Sequence, residues 1–145
     1  MGKSASAGAR SRARELALQA LYQAQISGHG KAELTRQFHE RPDYARVDQL
    51  YFDEMLEAIC DDGDGLKERL QAFADRPVAQ LDPVELAILM IGYYELASRT
   101  DVPFRVVINE AVHLAKRFGA EDGHKYVNAV LDRAVKTLRP AEFSA

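Results

Sequence analysis

The stretch Leu81–Ser98, LDPVELAILMIGYYELAS, decides the fold of this chain. Asp82 can cap a helix that begins at Pro83, because an aspartate oxygen satisfies a free backbone amide and proline has no amide to leave unsatisfied. From Leu86 to Tyr94 every residue is apolar, glycine or tyrosine. A helix without a polar face must be covered on all sides. We therefore expect a core helix surrounded by other helices.

The same stretch does not fit a membrane span. A transmembrane helix needs about 20 consecutive apolar residues, and Glu85 and Glu95 interrupt this run. No apolar segment follows the basic residues near the N-terminus, as one would in a secretory signal. Cys60 is the single cysteine and cannot form an internal disulfide, which agrees with a reducing compartment. We expect a cytoplasmic protein without membrane contact.

Apolar residues with helical spacing and clear breaks divide the rest of the chain. No strand-like alternation is found, so the sequence predicts an all-α protein with about seven helices. In the helix that begins at Val47, Leu50 is expected to be buried with Met55, Leu56 and Ile59. The predicted helices run from Ser11 to Gly28, Ala32 to His39, Val47 to Cys60, Leu66 to Phe73, Pro83 to Ser98, Phe104 to Phe118 and about Asp122 to Pro140.

The domain organisation follows from length and composition. A chain of 145 residues fits one domain, or two small helical lobes that share a core. The first residues are rich in glycine, alanine and serine without periodicity, which is typical of disorder. We expect a disordered basic arm over residues 1–10, one helical domain over 11–140 and a tail over 141–145.

The net charge of −3 conceals an uneven distribution. Residues 1–14 hold Lys3, Arg10, Arg12 and Arg14 and no acid, which leaves 15 basic and 22 acidic residues in the remainder. A cationic arm indicates a phosphate-bearing partner, although a solubilising tail on an acidic protein has the same composition. Cations at a helix start are unfavourable toward the helix dipole, and an external anion could offset this cost.

Patterns for catalysis or metal binding are weak. The chain has no glycine-rich phosphate loop and no cysteine-rich zinc spacing, and Cys60 falls in register with core residues rather than beside a histidine. Glu110 with His113 and Glu121 with His124 resemble half of a di-iron site, but two further glutamates on facing helices are missing. We expect no enzyme activity, no metal and no cofactor, with a metal-dependent oxidase as a minor alternative.

Aromatic and basic residues alternate around the break between the last two long helices. Such a mixture suits unstacked single-stranded bases, since stacking on an aromatic ring contributes about 1–3 kcal/mol per base. The alternative is that the aromatics are core residues and the charges a solvated face, which the residues alone favour. The residues concerned are Tyr22 in the first helix and Lys116, Arg117, Phe118, Lys125 and Tyr126 around the break.

Three blocks of the sequence resemble the NusB family of bacterial transcription antitermination factors. They are RSRARELALQALYQ at 10–23, LDPVELAILMIGYYEL at 81–96 and DVPFRVVINEAVHLAKRFGAEDGHKYVNAVLD at 101–132. The blocks occur in the family's order and spacing, and the resemblance covers nearly the full length. We expect no cytosine methyltransferase domain of the kind that follows a NusB-like domain in some RNA-modifying enzymes.

The resemblance implies a fold of two packed helical subdomains. It also implies binding of the single-stranded boxA element of ribosomal RNA leader transcripts together with NusE, a ribosomal protein of the small subunit. That pair would nucleate an antitermination complex with NusA, NusG and RNA polymerase. Carried over by position, the RNA contacts are Arg10, Arg12, Arg14, Tyr22, Phe118, Asp122 and Tyr126, with Arg117 and Lys125 extrapolated from their place in the motif.

Some positions depart from the family pattern. Ser11 stands where some relatives continue the arginine run. Leu86 and Met90 replace basic residues and His113 replaces a glutamate, which affects the expected edges of the protein-partner surface. Asp122 cannot attract phosphate, so we expect it to accept hydrogen bonds from base edges or to orient a neighbouring cation.

Two further alternatives follow from the apolar helix faces. A helical adaptor could bind NusE without any RNA affinity of its own. An apolar face could equally serve self-association, so both a monomer and a homodimer fit the sequence.

Overall fold

The computed structural model describes residues 7–144, and over that range it contains helices, turns and loops without a strand. The all-α prediction is confirmed. Within the same range, no helix combines the length and hydropathy that a bilayer span requires. The chain divides into two compact units, the first ending at Asp61 and the second beginning at Asp62.

The first unit holds three α-helices and a 3₁₀ helix: α1 (Ala7–Ser27), α2 (Lys31–His39), the 3₁₀ helix Pro42–Arg46 and α3 (Gln49–Asp61). Both α1 and α2 pack against α3. The buried stripe of α3 repeats from Phe52 through Met55 to Ile59. Leu50 is 67% exposed, so its predicted burial is wrong. It lies roughly 200° around the helix from Phe52.

The first helix begins four residues before the predicted start. Residues 7–10, which were expected to be disordered, form its first turn, while residues 1–6 lie outside the described residues. The backbone amide of Asp48 donates to the carbonyl of Ala9 at 3.0 Å, and the guanidinium of Arg10 lies 3.5 Å from the Asp48 carboxylate. These tertiary contacts hold a turn that local composition does not predict.

The second unit holds the remaining helices: α4 (Gly63–Gln71), the 3₁₀ helix Val78–Gln80, α5 (Pro83–Ser98), α6 (Phe104–Phe118), α7 (Gly123–Leu138) and α8 (Pro140–Ser144). Every residue of α5 from Glu85 to Leu96 is buried, and α4, α6 and α7 contact this helix. The predicted core helix is confirmed. Its predicted cap is also present, because Asp82 accepts a hydrogen bond from the amide of Val84 at 3.3 Å.

A buried arginine caps the end of the core helix. Arg139 is 6% exposed, and its guanidinium donates to the carbonyls of Leu96 at 2.7 Å, Glu95 at 3.1 Å and Arg99 at 2.9 Å. The last carbonyls of a helix lack intrahelical partners and carry partial negative charge. The guanidinium of Arg139 supplies both the missing hydrogen-bond donors and a positive charge at this helix end.

The final helix, α8, was not predicted, and residues 141–144 of the expected tail are helical. Glu142 of α8 accepts a hydrogen bond from the backbone amide of Phe104 at 2.9 Å and pairs with Arg139. Pro103 at the N-cap position of α6 provides no side-chain acceptor. The carboxylate of Glu142 therefore caps α6 from a distant part of the chain.

Candidate nucleic-acid interface

The residues expected to contact RNA fall into two sets, one on each compact unit. The first unit carries Arg10, Arg12, Arg14 and Tyr22, all on α1, and the second carries Arg117, Phe118, Asp122, Lys125 and Tyr126 around the junction of α6 and α7.

Arg10 and Arg14 both lie against the aromatic ring of Tyr51 in α3. Their guanidinium carbons lie 4.5 Å and 5.4 Å from the ring centroid. The Arg10 side chain keeps 32% of its surface exposed and pairs with Asp48. Arg14 is only 3% exposed, so its charge is not presented to an external phosphate. The expected RNA contact at Arg14 does not fit this burial, and we assign it to packing against Tyr51.

Arg12 and Tyr22 are exposed on the same helix. The Nε of Arg12 donates to the backbone carbonyl of Arg46 at 2.9 Å, which fixes the guanidinium at the surface. The ring of Tyr22 is 42% exposed. Ten residues separate the two, or roughly 15 Å along a helix. Both side chains are available to an extended polynucleotide strand.

On the second unit, the end of α6 presents an aromatic ring among cations. Phe118, the last residue of α6, is 39% exposed, and the guanidinium of Arg117 lies 4.6 Å from its ring centroid. Lys116 and Arg117 are exposed in the last helical turn, where cations interact favourably with the helix dipole. The exposure of Phe118 decides against its interpretation as a core residue.

The turn into α7 places the carboxylate of Asp122 beside the ammonium of Lys125. Asp122 has a φ of 65°, the left-handed conformation that aspartate tolerates better than most residues. Its side chain does not cap α7, and it lies 3.4 Å from the ammonium of Lys125. Both groups are largely exposed, so the pair contributes little to stability. This geometry fits the expected role of orienting a cation.

Tyr126 in the first turn of α7 is half-buried and stacked with a cation. The guanidinium of Arg76 lies 4.1 Å from its ring centroid. The hydroxyl is buried and makes no hydrogen bond of normal geometry with any described residue. Burial raises the pKa of Tyr126, and the carboxylate of Asp75 raises it further, whereas the charge of Arg76 lowers it. One face of the ring is thus already covered.

Arg76 contacts Tyr126, the buried Glu85 lies against Gly123, and neither residue was predicted from the sequence. Burial raises the pKa of Glu85 and Asp82 raises it further, while Arg76 lowers it. A Cβ atom at position 123 would meet the Glu85 carboxylate, so a larger residue there requires the Glu85 side chain to move. Arg76 lies 50 residues before Tyr126 in an irregular segment, and no local pattern marks it.

The candidate metal ligands do not form a cluster. Over residues 7–144, no three histidine, cysteine, aspartate or glutamate side chains converge on one point. His113 is exposed on α6 and Glu110 is half-buried. The two Glu-x-x-His spacings therefore lack the further ligands that a di-iron site needs in this part of the chain.

Comparison with known proteins shows which family this chain resembles. The model of the NusB family matches residues 11–136. The transcription antitermination protein NusB of Idiomarina loihiensis is 47% identical over 132 residues, covering 91% of this chain and 95% of the relative. The protein of the same name from Alcanivorax borkumensis is 46% identical over 144 residues, covering 99% and 96%.

The fold agrees with a solved structure. T. maritima NusB superimposes with a TM-score of 0.82 at 24% identity, and the match covers 100% of both chains. At that identity the structural match supports the fold alone, whereas the family model and the closer sequence relatives cover most of the chain at higher identity. The chain belongs to the NusB family.

Proposed function

We propose that this protein is a non-enzymatic transcription antitermination factor. It binds the boxA element of ribosomal RNA leader transcripts together with NusE and nucleates a complex with NusA, NusG and RNA polymerase. Family membership supports this proposal, as do the names of the relatives, which are transcription antitermination proteins.

The observation that carries the RNA-binding proposal is the exposed ring of Phe118 among cations. The side chain of Phe118 is 39% exposed, so part of its ring is accessible to an unstacked base. Arg117 over the same ring adds a positive charge next to the stacking surface. Tyr126 with Arg76 repeats this combination at the start of α7.

The arginines of α1 have a different role in the proposal. Arg12 is exposed and held by the carbonyl of Arg46, so we assign it the main phosphate contact on the first unit. Arg10 is partly exposed and contributes a weaker contact, since Asp48 offsets its charge. Tyr22 adds a base-stacking ring farther along the helix. Phosphate contacts of this kind give affinity and orientation rather than sequence preference.

A substitution at Phe118 tests the stacking surface directly. Phe118→Ala should weaken binding of a boxA RNA about tenfold, because one base loses its stacking partner. Phe143→Ala is the matched control, since Phe143 is 44% exposed on the same unit but belongs to α8. Fluorescence anisotropy with a labelled boxA strand measures both, and thermal melting confirms that each variant is folded.

Two outcomes would contradict the proposal. Equal losses for Phe118→Ala and Phe143→Ala would remove the stacking role of Phe118. The protein could also bind NusE while neither the protein alone nor its complex with NusE binds RNA. That result would support the helical adaptor instead.

A further inference from the structure

The first unit contains a cavity of about 200 Å³ beside the exposed arginine of α1. Residues spaced three and four apart on one face of α1 form one wall. The 3₁₀ helix and the residue after it form the other. The lining side chains include Arg12, Leu16 and Gln19 from α1 and Asp43, Arg46 and Val47 from the opposite wall.

The size and lining of the cavity suit one flat ring system. Sites for drug-sized ligands occupy roughly 300–1,000 Å³, so this cavity admits a smaller group. Leu16 and Val47 are buried and provide apolar contact. Gln19 offers both a hydrogen-bond donor and an acceptor, and Glu15 adds a second carboxylate to the wall.

Asp43 supplies an unsatisfied acceptor at this cavity. Its Oδ1 atom is buried and has no hydrogen-bond partner among the described residues. Its Oδ2 atom accepts from the guanidinium of Arg41 at 3.1 Å. Buried polar atoms without partners are rare in folded proteins and call for an explanation. The torsion about the Cβ–Cγ bond of aspartate is broad, so the carboxylate can turn toward a donor in the cavity as its contact with Arg41 adjusts.

We propose that this cavity binds one unpaired guanine base of RNA. Guanine presents two adjacent donors, N1–H and the 2-amino group, which match the two oxygens of the Asp43 carboxylate. Gln19 lines the same cavity, and its amide group can donate to O6 of the base. Adenine and cytosine have a ring acceptor beside their amino donor, and uracil has a single donor between two carbonyl acceptors. These three bases therefore fit a carboxylate less well than guanine does.

The arginines connect this base site to the RNA backbone. Arg12 and Arg46 line the cavity and are exposed, so the phosphates that flank the bound base meet positive charge. The inference rests on the proposed RNA-binding function and adds a base-specific site to the arginine surface of α1.

The test uses short labelled RNA strands and the intact protein. One strand is oligouridine, a second carries one central guanosine, and a third carries inosine, which lacks the 2-amino group, at that position. In fluorescence anisotropy, the guanosine strand should bind about tenfold more tightly than oligouridine, with inosine between them. Equal affinities for the three strands would overturn the guanine site.

The variant Asp43→Asn separates base recognition from charge. Removing a carboxylate should strengthen binding of any RNA slightly, so Asp64→Asn, which neutralises an exposed aspartate of α4, serves as control. Asp43→Asn should abolish the guanosine preference, and Asp64→Asn should keep it. A preference retained in Asp43→Asn contradicts the inference. If Asp43→Asn does not fold, Gln19→Ala must reduce the preference.

The strands also separate this site from the proposed function. Binding of boxA RNA without a guanosine preference would overturn the guanine site and leave the proposed function intact. Failure to bind any strand, boxA included, would overturn both.

Discussion

The three arginines of α1 differ in exposure, and exposure sets their expected roles. Arg12 is exposed, Arg10 is partly exposed and paired, and Arg14 is 3% exposed against Tyr51. Charge counting treats the three alike. Helical register distinguishes them. Arg14 lies on the same face of α1 as Ala17 and Leu21, three and seven positions further along, and both of these residues are buried. That register was available in the sequence.

Alanine substitution should therefore change RNA binding at Arg12 and protein stability at Arg14. Arg12→Ala should reduce the slope of log affinity against log salt by about 0.7, the value for one lost contact with a single strand, and leave stability nearly unchanged. Arg14→Ala should lower the free energy of unfolding by about 2 kcal/mol through lost cation–π contact and packing. Salt titrations and urea unfolding measure the two effects. Equal salt slopes for the two variants would contradict this assignment.

Tyr126 combines an aromatic ring stacked with Arg76 and a buried hydroxyl that makes no hydrogen bond of normal geometry with any described residue, although the Asp75 carboxylate is close enough to raise its pKa. Tyr126→Phe should raise the free energy of unfolding by about 1 kcal/mol, because it removes a buried polar atom that lacks a well-formed hydrogen bond. The same variant should keep its preference for boxA RNA, since the ring and its contact with Arg76 remain. Tyr126→Ala should weaken boxA more than a scrambled strand. Equal losses on both strands would show that the ring does not contact bases.

At the level of elements, local signals predict the second half of the chain well. The Asp82–Pro83 start, the Pro103 break and the Gly119 end bound α5 and α6 as predicted. The element α8 was missed because five residues are too few for periodicity. Its role depends on the contacts of Glu142 with Phe104 and Arg139, which only the tertiary structure supplies.

The cap that Glu142 provides should depend on pH. The amide of Phe104 lowers the pKa of Glu142 below its usual value, and Arg139 lowers it further. A lowered pKa in the folded state means that the ionised carboxylate stabilises the protein at neutral pH, and that this contribution is lost as pH falls through the folded pKa. Glu142→Gln should therefore be less stable than the unmodified protein at about pH 7, with a smaller difference at about pH 3.

Urea unfolding at both pH values measures this difference. Glu68→Gln, at an exposed glutamate of α4, is the control and should change stability little at either pH. A stability difference for Glu142→Gln that stays constant between the two pH values would rule out capping by the ionised carboxylate.

At the scale of the whole molecule, the chain comprises two compact helical units, and each carries a cation against an aromatic ring, Arg10 against Tyr51 in the first and Arg117 against Phe118 in the second. Composition predicts the cationic start, and the family resemblance predicts the positions of Tyr22, Phe118 and Tyr126. Neither predicts the partnership of Arg76 with Tyr126 or the cavity at Asp43, because both join residues that are distant in sequence. The units themselves are acidic in sum, so RNA binding depends on these local surfaces rather than on net charge.

The most direct test of boxA recognition is fluorescence anisotropy of a boxA RNA and its scrambled counterpart, titrated with this protein at two salt concentrations, with and without NusE. We expect tighter binding of boxA than of the scramble, a larger difference when NusE is present, and weaker binding of both strands at high salt. Equal affinity for the two strands, or no binding of either even with NusE, would contradict the proposed function.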